Sequence, residues 1–283
     1  MNNTHKSKEH IKQENNKTEL SEMSAKSQPN IAVRIFVIPI VKLRDYITLG
    51  LIKTGITPNT LTITGAAFTI IGAYFLYTGA EKHWSSQAIP DSFYAAIFFL
   101  LASAMDMLDG NLARIGNCKS TFGGILDSSL DRISDIAIFS GIIIAYARIG
   151  NITFVLLSLI ALCNAVMISY IKARAECEPE IPKGALSVGY WQRGERMVGI
   201  MIACFSAHIS TLVLMLATLP ALTALRRGYY SWLITNGKPL PPEGGNPFLF
   251  WRHKRGSWPF VIISAIYILI LALVNIPAFD FIH

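Results

Sequence analysis

Four aspartates sit close together in the sequence at spacings that could serve a metal-assisted reaction: Asp106, Asp109, Asp127 and Asp131. On a helix, Asp106, Asp109, Gly110 and Ala113 are offset by three, four and seven residues and share one face. Gly123, Asp127 and Asp131 follow at steps of four and share another. The short 115–121 connection makes the two helices antiparallel neighbours, and Gly110, Ala113 and Gly123 allow their backbones to approach closely. Four carboxylates can then converge at one end of a helix pair.

Such a cluster is costly, because like charges repel and each resists desolvation. Either some carboxylates carry protons or cations neutralise them. Ligands that are all oxygen favour hard divalent ions such as Mg²⁺ or Mn²⁺. Two such ions could hold a pyrophosphate and stabilise attacking and leaving oxygens. A carboxylate not fully used by metal could serve as general base. The competing, purely structural account pairs the carboxylates with Arg114 and Arg132, but four acids outnumber those cations. Asp135 continues the stripe one turn deeper and reads as a hydrogen-bonded support rather than a ligand.

The elements that must carry these residues are membrane spans. The chain has 283 residues, 52% hydrophobic and 15% charged, where a soluble domain carries about 25% charged residues. Six stretches are apolar enough to cross a hydrocarbon core as helices: 59–80, 91–113, 122–148, 151–171, 197–219 and 257–279. The first is the weakest, with Thr and Gly throughout. The expected fold class is therefore all-α, a polytopic membrane protein of six transmembrane helices. Residues 1–30 read as a disordered polar tail, with no cleaved signal peptide evident. Residues 31–53 mix apolar side chains with Arg34, Lys42, Arg44 and Lys53. They suit an N-terminal interfacial segment on anionic headgroups or, equally, a basic flank before the first span. Residues 31–283 form the membrane domain. Within it, 222–256 reads as an inter-helix insert rich in Gly, Pro and aromatics, a loop with short interfacial pieces.

The positive-inside bias favours a cytoplasmic N-terminus and a cytoplasmic acid cluster. The basic insert, placed on the opposite side by a six-span count, is the awkward element. The scattered cysteines (Cys118, Cys163, Cys177, Cys204) argue against a disulfide framework or a zinc site. His208 reads as hydrogen-bonded structure rather than a ligand. The net charge of +7 suits anionic lipid. Nothing resembles a nucleic-acid-binding motif, and no nucleic-acid partner is expected.

The residues match a known signature. The string D-x2-D-G-x2-A-R-x8-G-x3-D-x3-D, carried by Asp106, Asp109, Gly110, Ala113, Arg114, Gly123, Asp127 and Asp131, resembles that of the CDP-alcohol phosphotransferases at every fixed position. Thr57-Pro58-Asn59 resembles the family's lead-in to the first span. The resemblance implies that an alcohol attacks the β-phosphate of a CDP-linked lipid, CDP-diacylglycerol or a related CDP-lipid, and that CMP leaves. It implies two Mg²⁺ ions, with Mn²⁺ as the alternative, on Asp106, Asp109, Asp127 and Asp131. Asp131 would also accept the proton of the attacking hydroxyl. It implies contacts to the CDP-lipid from Asn59, Gly110, Arg114 and Ser120, the last being equally a helix N-cap. A homodimer in the cell membrane, with its active site facing the cytoplasm, is likewise implied.

The acceptor is a separate question. Lys172 and Arg174 end the fourth stretch, and Arg193 and Arg196 open the fifth. Cations beside a metal site could hold a phosphorylated polyol, with Glu176 and Glu195 orienting them. Positive-inside flanking needs no ligand at all. The Lys-Ala-Arg-Ala-Glu and Glu-Arg patterns resemble the phosphatidylinositol-phosphate synthase branch and its archaeal ether-lipid counterparts, with Trp191, Gln192 and Gly194 as departures. That branch implies myo-inositol 1-phosphate. Glycerol 3-phosphate is the alternative acceptor, and serine fits less well. Two other classes stand beside this one: a cation or proton transporter using intramembrane carboxylates, and an inactive scaffold of the same fold.

Overall fold

The structure, a computed structural model, describes residues 38–79, 91–182, 184–187, 189–240 and 258–278. The expected tail at 1–30, the start of the interfacial segment (31–37) and the second half of the insert (241–256) lie outside the described residues. Among the described residues there are eight helices and no strand. They are α1 Ile38–Thr54, α2 Pro58–Gly79, α3 Asp91–Ile115, α4 Thr121–Arg148, α5 Ile152–Ala175, α6 Arg193–Ser206, α7 Ile209–Thr235 and α8 Trp258–Leu273. The all-α class is as expected. Helices α2, α3, α5 and α7 are long and apolar enough to cross a membrane. Helix α4 is longer still, at 28 residues, but bears Asp127, Asp131, Arg132 and Asp135 along its first half. Helix α1 belongs to a separate compact unit and exposes Ile40, Leu43, Tyr46 and Leu49.

Local chemistry sets the boundaries. Proline at the first position of α2 suits a turn whose N–H groups have no helical partner, and Thr57 Oγ1 accepts from the Thr60 amide at 3.3 Å. Ser120 caps α4 by accepting from Gly123 N at 2.9 Å, and Asn151 caps α5 through Phe154 N at 2.9 Å. Between α3 and α4 the chain turns through Asn117, which adopts a left-handed φ of 50°.

Helix α2 packs against both α3 and α4, while α3 and α4 make little direct contact. This corrects the expectation that the two acid-bearing helices are close neighbours. The glycines that permit close approach lie elsewhere. A Cβ on Gly72 would come within 2.6 Å of Phe99 on α3, and one on Gly141 within 2.5 Å of the Ala73 carbonyl on α2. A Cβ on Gly110 would meet nothing within 4 Å. The Thr and Gly content that made the first span look weak is what lets α2 act as the spacer.

The second half of the chain also differs from expectation. The stretch 197–219 is not one helix: α6 ends at Ser206, Ala207 takes a left-handed φ of 59°, and α7 starts at Ile209. His208 Nδ1 bonds the Leu271 carbonyl at 2.8 Å, a structural role as expected. Residues 222–235, expected in a loop, continue α7. Pro220 lacks the N–H that would bond the carbonyl four residues back. The Asn164 side chain supplies donors there, reaching Leu216 O at 3.3 Å and Ala217 O at 2.9 Å, so the helix runs on.

Contacts along the helices give their directions. Arg193 and Arg196 on α6 meet Asp131 and Asp135 on α4, so these two helices run the same way. Helix α7 starts beside the far end of α4, where Ser210 lies by Tyr146. It returns along α5: Ala217 lies by Asn164, Arg227 Nη1 bonds Ile168 O at 2.6 Å, and Tyr230 and Leu233 pack with Ala175. Helix α8 runs with α6, Tyr267 lying by Trp191 and Leu271 by Ser206. After α5 the chain thus traverses the bundle three times, where the expected stretches allowed two. Arg226, Arg227 and Lys238 therefore lie at the acid-cluster end and not opposite it, which removes the awkwardness in the charge distribution.

This packing makes a contrast within one helix. Gly141→Ala is expected to lower stability by about 1–3 kcal/mol through overpacking against backbone. Gly124→Ala, whose Cβ meets nothing within 4 Å, should be neutral or stabilising by up to ~1 kcal/mol from helix propensity. Thermal unfolding of the purified protein in detergent measures both, and equal effects would contradict the close α2–α4 approach.

Candidate metal and lipid site

The acid cluster forms where α3 ends and α4 begins. Asp106 and Asp109 lie one turn apart on α3, and Asp127 faces them from α4. One carboxylate oxygen from each lies within 4.8 Å of the others. Asp106 is exposed, Asp127 half-buried and Asp109 buried. Asp106 and Asp127 both act electrostatically on Asp109. Three oxygen donors at this separation, graded from solvent to interior, fit a hard divalent cation, which would relieve the repulsion.

Asp131 stands apart from this group. Its Oδ1 pairs with Arg193 Nη2 at 2.8 Å, and Arg193 Nη1 also donates to the Asp131 carbonyl at 2.8 Å. One turn deeper, Arg196 Nη2 binds Asp135 Oδ2 at 2.5 Å, with both side chains at or below 5% exposed. Arg196 Nη1 donates to Trp191 O at 3.1 Å. Two carboxylates on α4 thus meet two arginines on α6 as successive rungs. Asp135 is the support that the sequence suggested. Arg196, expected among the acceptor cations, is instead buried and committed to Asp135, because its turn of α6 faces the bundle interior. Arg132 turns away to donate to the Ser128 carbonyl.

The remaining expected contacts fall into two groups. Asn59, Ser120 and Gly123 come together at the start of α2 and α4: a Cβ on Gly123 would lie 2.9 Å from Ser120 Oγ and 3.2 Å from Asn59 Oδ1. Gly110 borders open space, and Arg114 is exposed in the last turn of α3. At the end of α5, Lys172 is half-buried, while Arg174 is exposed and ion-paired with Glu178 four residues on. The expected orienting acids have other partners. Glu176 accepts from Gly184 N at 3.1 Å, and Glu195 accepts from Gln192 N at 3.2 Å at the start of α6. Trp191, with a left-handed φ of 62°, and Gln192 build the turn into α6.

Sequence reasoning missed Thr62. Its hydroxyl donates to Asp109 Oδ2 at 2.6 Å, from α2 and 47 residues away. It is one of several threonines in the first span, and no local signal singles it out. Thr62, Asp106, Asp109, Asp131 and Arg193 together line a cavity of about 250 Å³ enclosed by α2, α3, α4 and α6.

Known proteins resemble this chain in both sequence and fold. The profile of the family described as CDP-alcohol phosphatidyltransferase matches residues 55–237. An archaetidylinositol phosphate synthase of Pyrococcus horikoshii is 34% identical over 179 residues, covering 63% of this chain and 85% of the relative. A phosphatidylinositol phosphate synthase of Mycobacteroides abscessus is 31% identical over 161 residues, covering 56% and 67%. The crystal structure of Mycobacterium tuberculosis phosphatidylinositol phosphate synthase with CDP-DAG bound superposes with a TM-score of 0.57 at 27% identity, covering 68% of this chain and 94% of that one. The same enzyme in complex with manganese and citrate gives 0.57 over 74% and 99%.

Two variants should fail in different ways. Thr62→Val is expected to leave folding intact and weaken divalent-metal affinity by roughly tenfold, as loss of an outer hydrogen bond to a ligand does. A Mn²⁺ titration of the thermal midpoint reads this. Arg196→Ala leaves Asp135 buried and uncompensated, and should cost about 3–5 kcal/mol of stability without metal. Normal stability for Arg196→Ala would refute its structural assignment.

Proposed function

The chain belongs to the CDP-alcohol phosphatidyltransferase family, and on that premise we propose that it moves a phosphatidyl-type group from a CDP-lipid to a phosphorylated polyol, with myo-inositol 1-phosphate as the favoured acceptor. The observation that carries this reading is the trio of Asp106, Asp109 and Asp127 beside an arginine-paired Asp131, with Asp106, Asp109 and Asp131 lining one cavity. The names of the similar synthases support the choice of acceptor. Glycerol 3-phosphate remains the alternative.

In the proposed reaction the acceptor hydroxyl attacks the β-phosphorus. A new O–P bond forms as the P–O bond to CMP breaks, and the hydroxyl proton passes to Asp131. Two divalent ions, Mg²⁺ or Mn²⁺, would sit on Asp106, Asp109, Asp127 and Asp131 and neutralise the pyrophosphate oxygens. Arg193 holds one Asp131 oxygen and orients the carboxylate towards the cavity. Thr62 fixes the rotamer of Asp109. Asn59 and Ser120, drawn together by Gly123, and Gly110 with its open flank are assigned to the nucleotide, with Arg114 on its phosphates. Lys172, Arg174 and Arg193 are assigned to the acceptor phosphate, and Arg196 is assigned to holding α6 in place.

The same reading makes the chain a multi-pass cell-membrane protein, with residues 31–283 as its membrane domain, α1 as the interfacial segment and the acid cluster facing the cytoplasm. The basic residues Arg114, Lys119, Lys172, Arg174, Arg226 and Lys238 gather at the cluster end, and Arg148 lies at the other. Assembly as a homodimer is part of the proposal.

The test is CMP release by purified protein with CDP-diacylglycerol and Mg²⁺, against inositol 1-phosphate, glycerol 3-phosphate, serine and inositol in turn. Inositol 1-phosphate should turn over, and Asp131→Asn should lose at least about 100-fold, the low end of general-base contributions. Lys172→Ala should raise the acceptor KM more than that of the CDP-lipid. Turnover of another acceptor while inositol 1-phosphate fails would overturn the choice, and metal-driven flux without CMP would favour a transporter.

A further inference from the structure

The cavity under the acid cluster continues well past the carboxylates. Along α2 it is lined from Thr62 to Thr69, and along α6 from Arg193 to Met201. At 1.5 Å per residue this is roughly 10 Å of depth along the helices. The deeper wall is mostly apolar, including Ala66, Ala102, Met197 and Met201.

One polar group in that wall lacks a partner. Hydroxyls on membrane helices commonly donate to a carbonyl one turn back. Thr69 bonds Gly65 O at 3.0 Å in this way. Ser103, which lines the same cavity, does not: its Oγ is buried and has no hydrogen-bond partner. A buried hydroxyl left unpaired is costly, and the cost is relieved by an acceptor arriving in the cavity.

The position of Ser103 indicates which acceptor. It precedes Asp106 by three residues on the cavity side of α3, about 4.5 Å further from the cluster end along the helix axis. A group one turn below the phosphate-handling acids meets the part of a lipid a few bonds from its phosphate, the glycerol and its first linkages. There an ester carries a carbonyl oxygen, a strong hydrogen-bond acceptor, while an ether carries none. We propose that Ser103 is a specificity-determining residue whose hydroxyl donates to an ester carbonyl of the donor lipid, so that the enzyme favours ester-linked over ether-linked CDP-lipids. The proposal rests on the CDP-lipid reading above and adds the linkage chemistry.

The experiment compares two CDP-lipids of identical chain length and unsaturation, one ester-linked and one ether-linked, by kcat/KM for CMP release with a fixed acceptor. The wild type should prefer the ester roughly fivefold, the ratio that one net hydrogen bond supports, and mainly through KM. Ser103→Ala should bring the ester down to the ether value, leave the ether unchanged, and keep or raise the thermal midpoint, because it removes an unpaired buried hydroxyl. Ser103→Thr, which retains a hydroxyl, should keep the preference. Equal use of both lipids by the wild type, or an undiminished ratio in Ser103→Ala, would overturn the assignment of Ser103 while leaving the transferase reading intact. No CMP from either lipid would remove that reading and this proposal with it.

Discussion

Carboxylates whose oxygens approach within 4.8 Å cannot be held together among apolar helices without compensating positive charge. Much of the surrounding architecture meets that constraint. Asp109, the buried member, receives the Thr62 hydroxyl. Asp131 and Asp135 each receive an arginine from α6. The remaining acids, Asp106 and Asp127, lie nearer the open end, where a cation can reach them. Arginines thus balance Asp131 and Asp135, a hydroxyl supports Asp109, and the trio of Asp106, Asp109 and Asp127 keeps a negative charge that a divalent cation would balance.

The same constraint explains why α3 and α4 stand apart. Two helices in direct contact would press the carboxylates together and leave no room for a substrate. Helix α2 packs against both, through Gly72 and Gly141, and opens the cavity between them. The Arg193 and Arg196 rungs then fasten α6 along α4 as the fourth wall. The rungs differ in kind. The Arg196–Asp135 pair is sealed inside the protein, where loss of one partner strands a charge. The Arg193–Asp131 pair borders the cavity, with each side chain 25% exposed, and can exchange partners with a bound ligand. One anchors the wall and the other faces the cavity.

The course of α7 follows from a single repair. Pro220 would ordinarily end or kink a helix, and the Asn164 amide supplies donors to the carbonyls around the break. The continued helix buries Arg227 against α5 and returns the chain to the acid-cluster end. Arg226 and Lys238 then join the other cations there, on the side of the bundle where the acid cluster lies.

By itself the sequence determined the helical class, the faces on which the aspartates lie, the family signature and the supporting role of Asp135, because each follows from local periodicity or a contiguous motif. It could not say what those faces meet. The spacing around Gly110 and Gly123 suggested a tight α3–α4 pair, yet periodicity names a face and not its neighbour, and the neighbour is α2. Arg193 and Arg196 look alike in the sequence, three residues apart at one helix start. Only the packing of α6 separates them, turning one towards the cavity and the other into the core. Thr62 could not be tied to Asp109, nor Asn164 to Pro220, because partners 47 and 52–56 residues distant are brought together by packing alone. The acid cluster was legible because its members are close in sequence. Its supports were not, because tertiary structure chooses the charges and hydroxyls that make it tolerable.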